Sequence, residues 1–389
     1  MKIILEIFYV FLRLGCTSFG GPIAHLAYFH DEFVLRRGWI SGQAFQDHVS
    51  LCQFLPGPTS SQVGMLIGFS RGRYIGALVA WLGFTLPSAA FLLIISYFAF
   101  NNSIYLSEPL FHGLKIAALA IVAQAILTTA RQFCPDPARL LLALLACTFT
   151  LFISFNFLSI LILFGSGLYG YFFLNKATDD GEVRVTPRAS RKIGLISIVL
   201  FFSLLTISFF IAGNQSSSLQ FAASFYRTGS LVFGGGHVVL PLLQAELVTR
   251  GLISQINFLN GYALAQAVPG PLFTISAYLG GTKSLPIGII SLFAIFIPSF
   301  LLIFGIMPFW IQLKNNQRLK NSLLGINAAV VGLLLAVFMN PVLPSTIFSW
   351  IDFLIACSAF LALWRFRWPT WLVLFVCAAV YQLQNVNLV

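Results

Sequence analysis

The sequence predicts an all-α polytopic membrane protein of two homologous halves in inverted topology, joined by a linker helix, with broken or re-entrant helices at Gly/Pro motifs. Three observations carry this. Of 389 residues, 58% are hydrophobic and only 8% charged, whereas a soluble domain has about a quarter charged. Apolar runs of about 20 residues recur along the whole chain, the length at which an α-helix crosses the hydrocarbon core of a bilayer. A set of motifs in the first half returns in the second at a nearly constant offset.

The runs are helical because segments such as 140–155 are apolar on every face, whereas barrel strands are shorter and alternate in polarity. Helices also satisfy their own backbone in lipid. The net charge of +11 comes from short basic groups between apolar runs, the pattern of membrane topology and not of a nucleic-acid stripe. The six cysteines, Cys16, Cys52, Cys134, Cys147, Cys357 and Cys377, have no metal-ligand spacing and read as small apolar residues. Residues 1–15 lack a small-residue cleavage pattern and read as a retained first helix.

The repeat is explicit. Arg13, Gly15, Phe19, Gly20 and Gly21 match Arg227, Gly229, Phe233, Gly234 and Gly235, an offset of 214. Glu32 falls on Glu246, Arg37-Gly38 on Arg250-Gly251, Gln53 with Pro56-Gly57-Pro58 on Gln266 with Pro269-Gly270-Pro271, and Pro87-Ser88 on Pro298-Ser299. The expected organisation is a first repeat over 1–175, a polar linker and connecting helix over 176–213, and a second repeat over 214–389.

Loop charges predict that the second repeat is inverted, because cytoplasmic loops are enriched in Lys and Arg. The loop 101–109 has no basic residue, while its counterpart carries Lys314, Arg318 and Lys320. Arg131 and Arg139 stand against none in 340–345. The uncharged 155–157 stands against Arg365 and Arg367, and the five basic residues of 176–192 against a C-terminal tail with none. Six apolar segments per half plus the linker helix give about 13 spans if every segment crosses. Re-entrant hairpins at the Gly/Pro segments would lower that number and keep the parity. The expected location is a bacterial inner membrane, N-terminus in the cytoplasm and C-terminus outside.

Phe19-Gly20-Gly21-Pro22 and Phe233-Gly234-Gly235-Gly236 interrupt apolar runs and free backbone groups. Irregular backbone at membrane depth is tolerated where it is buried in protein or lines a cavity, so two matched breaks point to a binding site. Pro56-Gly57-Pro58 and Pro269-Gly270-Pro271 are each expected to start a half-helix. The amides that follow, at Thr59, Ser60 and Ser61 or Leu272, Phe273 and Thr274, would present the positive end of a dipole to an anion, with hydroxyls on Thr59, Ser60, Ser61, Thr274 and Ser276 as further donors. Arg13 and Arg227, in apolar runs, are the expected anion ligands, since a guanidinium fork matches an oxyanion. Gln53 and Gln266 recur three residues before the Pro-Gly-Pro starts. His25 and His237 lie near the glycine breaks, and Glu32 and Glu246 are the candidates for proton coupling. Without a phosphate loop, dinucleotide fingerprint or Cys/His metal spacing, no cofactor or metal is expected.

Phe-Gly-Gly-Pro-x-x-His at 19–25, Arg36-Arg37-Gly38-Trp39, Leu-Pro-Gly-Pro at 55–58 and Phe-Gly-Gly-Gly-His at 233–237 resemble the chromate ion transporter family, in particular its long, two-domain members. The resemblance implies chromate export from a bacterial cytoplasm, places the Gly and Pro residues above with Arg13 and His25 in functional motifs, and leaves sulfate or a related oxyanion as the alternative substrate. Gly236 stands where Pro22 does and Leu252 where Trp39 does, so the halves differ. The expected partners are the oxyanion, membrane lipid and a second copy of the chain, and not nucleic acid. A membrane-embedded enzyme acting on a lipid phosphate competes, but it would confine catalytic groups to one half, whereas the polar motifs recur in both. A channel is the third reading.

Overall fold

The computed structural model describes residues 2–100, 108–153, 155, 157–174, 190–211, 218–233, 236–314 and 316–386. Gly234, Gly235, the His237 side chain and most of the 101–109 and 176–192 connections lie outside the described set. Within that set every regular element is helical. The first half holds α1 (Lys2–Thr17), α2 (Gly21–Phe29) running on into a π-helical turn (His30–Arg36), α3 (Gly42–Phe54), α4 (Thr59–Phe100), α5 (Glu108–Phe133), α6 (Pro137–Phe152) and α7 (Leu158–Phe173). Helix α8 (Arg191–Phe210) connects the halves. The second half repeats the series as α9 (Ser218–Leu231), a 3-10 turn (Gly236–Val238), α10 (Val239–Leu243), a π-helical turn (Gln244–Val248), α11 (Gln255–Ala267), α12 (Ile275–Gly281), α13 (Leu285–Ile306), α14 (Trp310–Lys314), α15 (Gln317–Val337), α16 (Trp350–Trp364) and α17 (Thr370–Val386).

Helix starts are set by capping residues at equivalent positions. Ser41 accepts from the Ala44 amide at 3.2 Å and Ser254 from the Asn257 amide at 3.3 Å. Asp136 before Pro137 caps α6, and Ser349 forms a capping box with Asp352 on α16. Each cap satisfies amides that the first turn leaves unpaired.

Helix α4 is two arms and not one rod. Gly72 and Arg73 leave helical geometry, Arg73 with φ 55°, and a Cβ on Gly68 would strike the Gly76 carbonyl. Residues eight apart on a straight helix are about 12 Å apart, so the arms 59–71 and 74–100 fold back on each other. Glu6 accepts from Arg37 at 3.4 Å and lies 3.6 Å from Arg71. The start of α1, the end of the π turn and the α4 turn therefore share one face. Residues 2–36 and 42–71 form two helical hairpins whose bases lie on that face and whose tips, 18–22 and 55–58, reach inward. Helix α1, of 16 residues, and helix α3, of 13, each end at a tip where the chain reverses. Of the two expected arrangements the Gly/Pro segments follow the re-entrant one, because each break turns the chain back, and the number of crossings falls below about 13 accordingly.

Inversion is visible in one pair of equivalent helices. The second arm of α4 lies antiparallel to α13, with Tyr74 against Phe304, Trp81 against Phe293, Phe296 and Phe300, and Leu93 beside Gly288. Equivalent antiparallel spans are related by a two-fold axis perpendicular to them, hence in the membrane plane. The halves also exchange elements: α5 packs on α16 and α17 of the second half, and its equivalent α15 packs on α6 and α7 of the first. Large apolar side chains such as Phe152 and Phe210 are exposed on the outside, where lipid would cover them.

Candidate functional site

The four hairpin tips meet around the pseudo-two-fold axis through reciprocal backbone bonds. The Gly57 amide donates to the Val232 carbonyl at 2.7 Å, and the Gly270 amide donates to the Ser18 carbonyl at 2.9 Å. Gly57 matches Gly270 and Ser18 matches Val232, so each Pro-Gly-Pro tip is tied to the break before Phe-Gly-Gly of the opposite half. Both glycines have positive φ, 121° and 104°, which a side chain would oppose. Gly57 packs on Ser299 and Gly270 on Ser88, the serines of the two Pro-Ser pairs. Pro22 and Gly236, an equivalent pair, touch each other directly: a Cβ on Gly236 would sit 2.9 Å from Pro22 Cγ. Residues that contact their own repeat partners lie on the axis. Two prolines do not fit there, which accounts for the departure at Gly236.

Beside this junction is a cavity of about 370 Å³, room for a tetrahedral oxyanion with several waters at about 30 Å³ each. Gly20, Pro22, Gln53, Thr59, Gly236 and Gln266 line it, so six of the residues singled out in the sequence converge. Helix α5 supplies Gln124, Thr128, Thr129 and Gln132, and Asn327 and Thr370 complete the polar lining. Among the described residues, none that lines it is charged. The starts of α2, of α4 and of the 3-10 turn before α10 all open on it, through Gly20 with Pro22, Thr59 and Gly236. Their unpaired amides and dipoles give a positive potential without a formal cation. Gln266 donates to the Tyr262 hydroxyl at 2.8 Å, and the Thr128 and Thr129 hydroxyls donate back to their own helix.

The structure puts the two arginines elsewhere. Arg13 reaches Glu32 at 2.6 Å, and Arg37 joins the same carboxylate at 2.6 Å. Arg227, fully buried, donates to both Glu246 oxygens, to the Ser224 hydroxyl and to the Ser208 carbonyl, while Arg250 lies 3.4 Å from Glu246. In the structure each of these arginines, expected as an anion ligand, pairs with a glutamate of its own half, and neither is among the described lining residues of the cavity. The reason is physical: a guanidinium in an apolar run is costly unless neutralised, and each half brings its own glutamate 19 residues later. Glu32 and Glu246 are accordingly engaged as partners of arginines. Trp39 stacks on this cluster, with Arg37 and Arg71 5.6 and 5.1 Å from its ring centre.

The remaining candidates are placed as follows. Pro56, Gly57 and Pro58 are buried at the first tip, and Pro269 and Pro271 flank Gly270 at the second. Gly21, with φ 76°, opens α2. His25 is buried between the Ser18 carbonyl, 3.2 Å, and Ser60 Oγ, 3.3 Å. Ser61 is buried with no partner for its hydroxyl among the described residues, and Thr274 bonds back to the Pro271 carbonyl. Sequence reasoning did not single out the α5 face, although Gln124, Thr128 and Gln132 recur along it every four residues.

Inverted halves, broken helices and a polar cavity at their junction are the architecture of a membrane transporter. The family model for the chromate transporter matches residues 5–171 and 219–382. The chain belongs to that family. It is 28% identical over 337 residues to an uncharacterized transporter of Methanocaldococcus jannaschii, covering 86% of this chain and 83% of that one. A probable chromate transport protein of Synechococcus elongatus is 28% identical over 327 residues, 83% of this chain and 80% of its own. A chromate transport protein of Pseudomonas aeruginosa is 27% identical over 338 residues, 85% and 79%. No solved structure matches this fold. Family membership makes transmembrane transport of an oxyanion the activity of this fold.

Proposed function

We propose that the chain exports chromate, or a sulfate-like oxyanion of the same shape and charge, by alternating access through the axial cavity. The observation that carries this is the cavity itself: uncharged, rich in amide and hydroxyl groups, and faced by helix starts from both halves. Gln53 and Gln132 project into it with no hydrogen bond to protein among the described residues, and each offers two N–H donors. Donors of this kind suit a fully deprotonated tetrahedral anion. They hold it less tightly than fixed guanidinium groups would, which a transporter needs for release.

The repeats, 1–175 and 214–389, rock about the axis at Pro22 and Gly236, and the reciprocal bonds of Gly57 and Gly270 are the contacts that slide. In the bacterial inner membrane the bases of the first-half hairpins and the N-terminus face the cytoplasm. Nine segments cross: the second arm of α4, α5, α6, α7, α8, α13, α15, α16 and α17. This arrangement puts every one of the four discriminating basic loops inside and the C-terminus outside. An inside-negative potential drives a dianion outward, at about 2.3 kcal/mol per charge per 100 mV. Uptake of labelled chromate into inverted vesicles, with sulfate, molybdate and phosphate as competitors, tests the reading. Uptake competed by sulfate is expected; no chromate uptake above vesicles lacking the protein refutes it.

A further inference from the structure

The first-half tips carry a polar network that the second half lacks. His25, Thr59, Ser60, Gln62 and Thr85 have Val239, Leu272, Phe273, Ile275 and Phe296 as their equivalents. The one titratable member is His25, 1% exposed, with its ring edge on Phe84. Its two nitrogens face different partners. Nε2 lies 3.2 Å from the Ser18 carbonyl, which can only accept, so Nε2 carries a hydrogen. Nδ1 lies 3.3 Å from Ser60 Oγ, so in the neutral ring Nδ1 accepts and the Ser60 hydroxyl donates. The Ser18 carbonyl also accepts the Gly270 amide, one of the two backbone bonds between the halves among the described residues. His25 precedes Leu26, and Ser60 follows Thr59, both in the cavity wall.

We propose that His25 is a proton-binding positioning residue that links occupancy of the cavity by an oxyanion to uptake of one proton. The inference rests on the transport reading above. A proton from water adds to Nδ1, whose new N–H donates to Ser60 Oγ, and the Ser60 hydrogen turns away to another acceptor. No other bond is made or broken, and the proton returns to water when the site empties. An imidazolium behind the wall at Leu26 and Thr59 attracts a bound dianion, and the dianion offsets the cost of a buried cation. By linkage each raises the affinity of the other by the same factor.

The charged groups on the neighbouring elements lie toward the hairpin bases: Lys2, Glu6 and Arg13 on α1, Asp31, Glu32, Arg36 and Arg37 in the π-helical turn and just after it, and Arg71 and Arg73 at the α4 turn. Glu6 is engaged by Arg37 and Arg71, Asp31 by Arg36, and Glu32 by Arg13 and Arg37. His30, in the π-helical turn, lies against the Phe45 ring. None of them bonds to the imidazole; Asp47 and His48 are buried on α3, and the His237 side chain lies outside the described residues.

The test is calorimetric titration of the purified protein with sulfate and with chromate, in two buffers of different ionisation enthalpy, from about pH 5 to about pH 8. Wild type should bind about 10-fold more tightly at the acid end and take up protons on binding. His25→Gln, which keeps an N–H donor for Ser18, should lose the pH dependence and the uptake while binding at the alkaline end within about 3-fold of wild type. Unchanged proton uptake in His25→Gln overturns the proposal. So does loss of binding at every pH with an unaltered melting temperature, since that marks a direct ligand. Where His25→Gln fails to fold, Ser60→Ala decides: a shifted midpoint of proton uptake is expected, and an unshifted one overturns the proposal. Failure of wild type to bind either anion would instead sink the transport reading.

Discussion

Glu246→Gln should destabilise this protein far more than the equivalent Glu32→Gln, although sequence and charge change are the same. Arg227 has no exposed side-chain surface, whereas the Arg13 side chain is 48% exposed. Removing the Glu246 charge leaves a guanidinium buried among neutral acceptors, the Ser224 hydroxyl, the Ser208 carbonyl and the amide oxygen that replaces the carboxylate. Stripping one partner from a buried pair costs about 3–5 kcal/mol. In the first half Arg13 and Arg37 can turn to water when Glu32 is neutralised, and a pair of that kind is worth about 1 kcal/mol or less. Cys52, Cys147 and Cys377 are buried and free, so a thiol-reactive fluorophore reports unfolding in detergent directly. Because such unfolding is irreversible, the comparison is of unfolding rates at one temperature. The expected order is wild type, then Glu32→Gln slightly faster, then Glu246→Gln faster by a wide margin. Equal rates for the two variants would refute the argument from burial.

Two further outcomes follow from the geometry. Gly236→Ala places a methyl 2.9 Å from Pro22 Cγ on the pseudo-two-fold axis; overpacking of about 1–3 kcal/mol is expected, and Pro22→Ala in the same chain should recover most of it in the unfolding-rate assay. Single cysteines at Phe155 and at Arg365, in matched loops of the two halves and on the background without native cysteines, should react with a membrane-impermeant thiol reagent from opposite sides of right-side-out vesicles. Labelling of both from one side would contradict the inversion.

Much of this fold was legible in the sequence because duplication leaves a record at fixed offset. The breaks at Phe19-Gly20-Gly21 and Pro56-Gly57-Pro58 read as backbone interruptions, and the structure turns the chain at both. The ion pairs were also written there: Arg13 and Glu32 keep a spacing of 19 residues, as do Arg227 and Glu246, and a buried arginine needs such a partner. What hid the pairing was the appeal of a guanidinium as an anion ligand. The α4 turn was harder, since Gly72 sits inside a continuous apolar run and only the flanking Arg71 and Arg73 mark the return to the interface. The exchange of α5 and α15 between halves had no local signature at all. It depends on which helix faces meet across the axis, and that is why the α5 side of the cavity came only with the structure.

The most direct test of the account compares chromate uptake into inverted vesicles by Gln53→Ala, Gln132→Ala and Arg13→Gln at matched expression. Each glutamine offers donors to the bound oxyanion, and a hydrogen bond to a charged group is worth about 1.5–3 kcal/mol, so loss of either glutamine should weaken apparent affinity about 10-fold or more. Arg13→Gln, whose wild-type side chain is held by Glu32, should stay within about 3-fold of wild type. Uptake that survives loss of both glutamines but collapses with Arg13→Gln would contradict the uncharged cavity as the path of the anion.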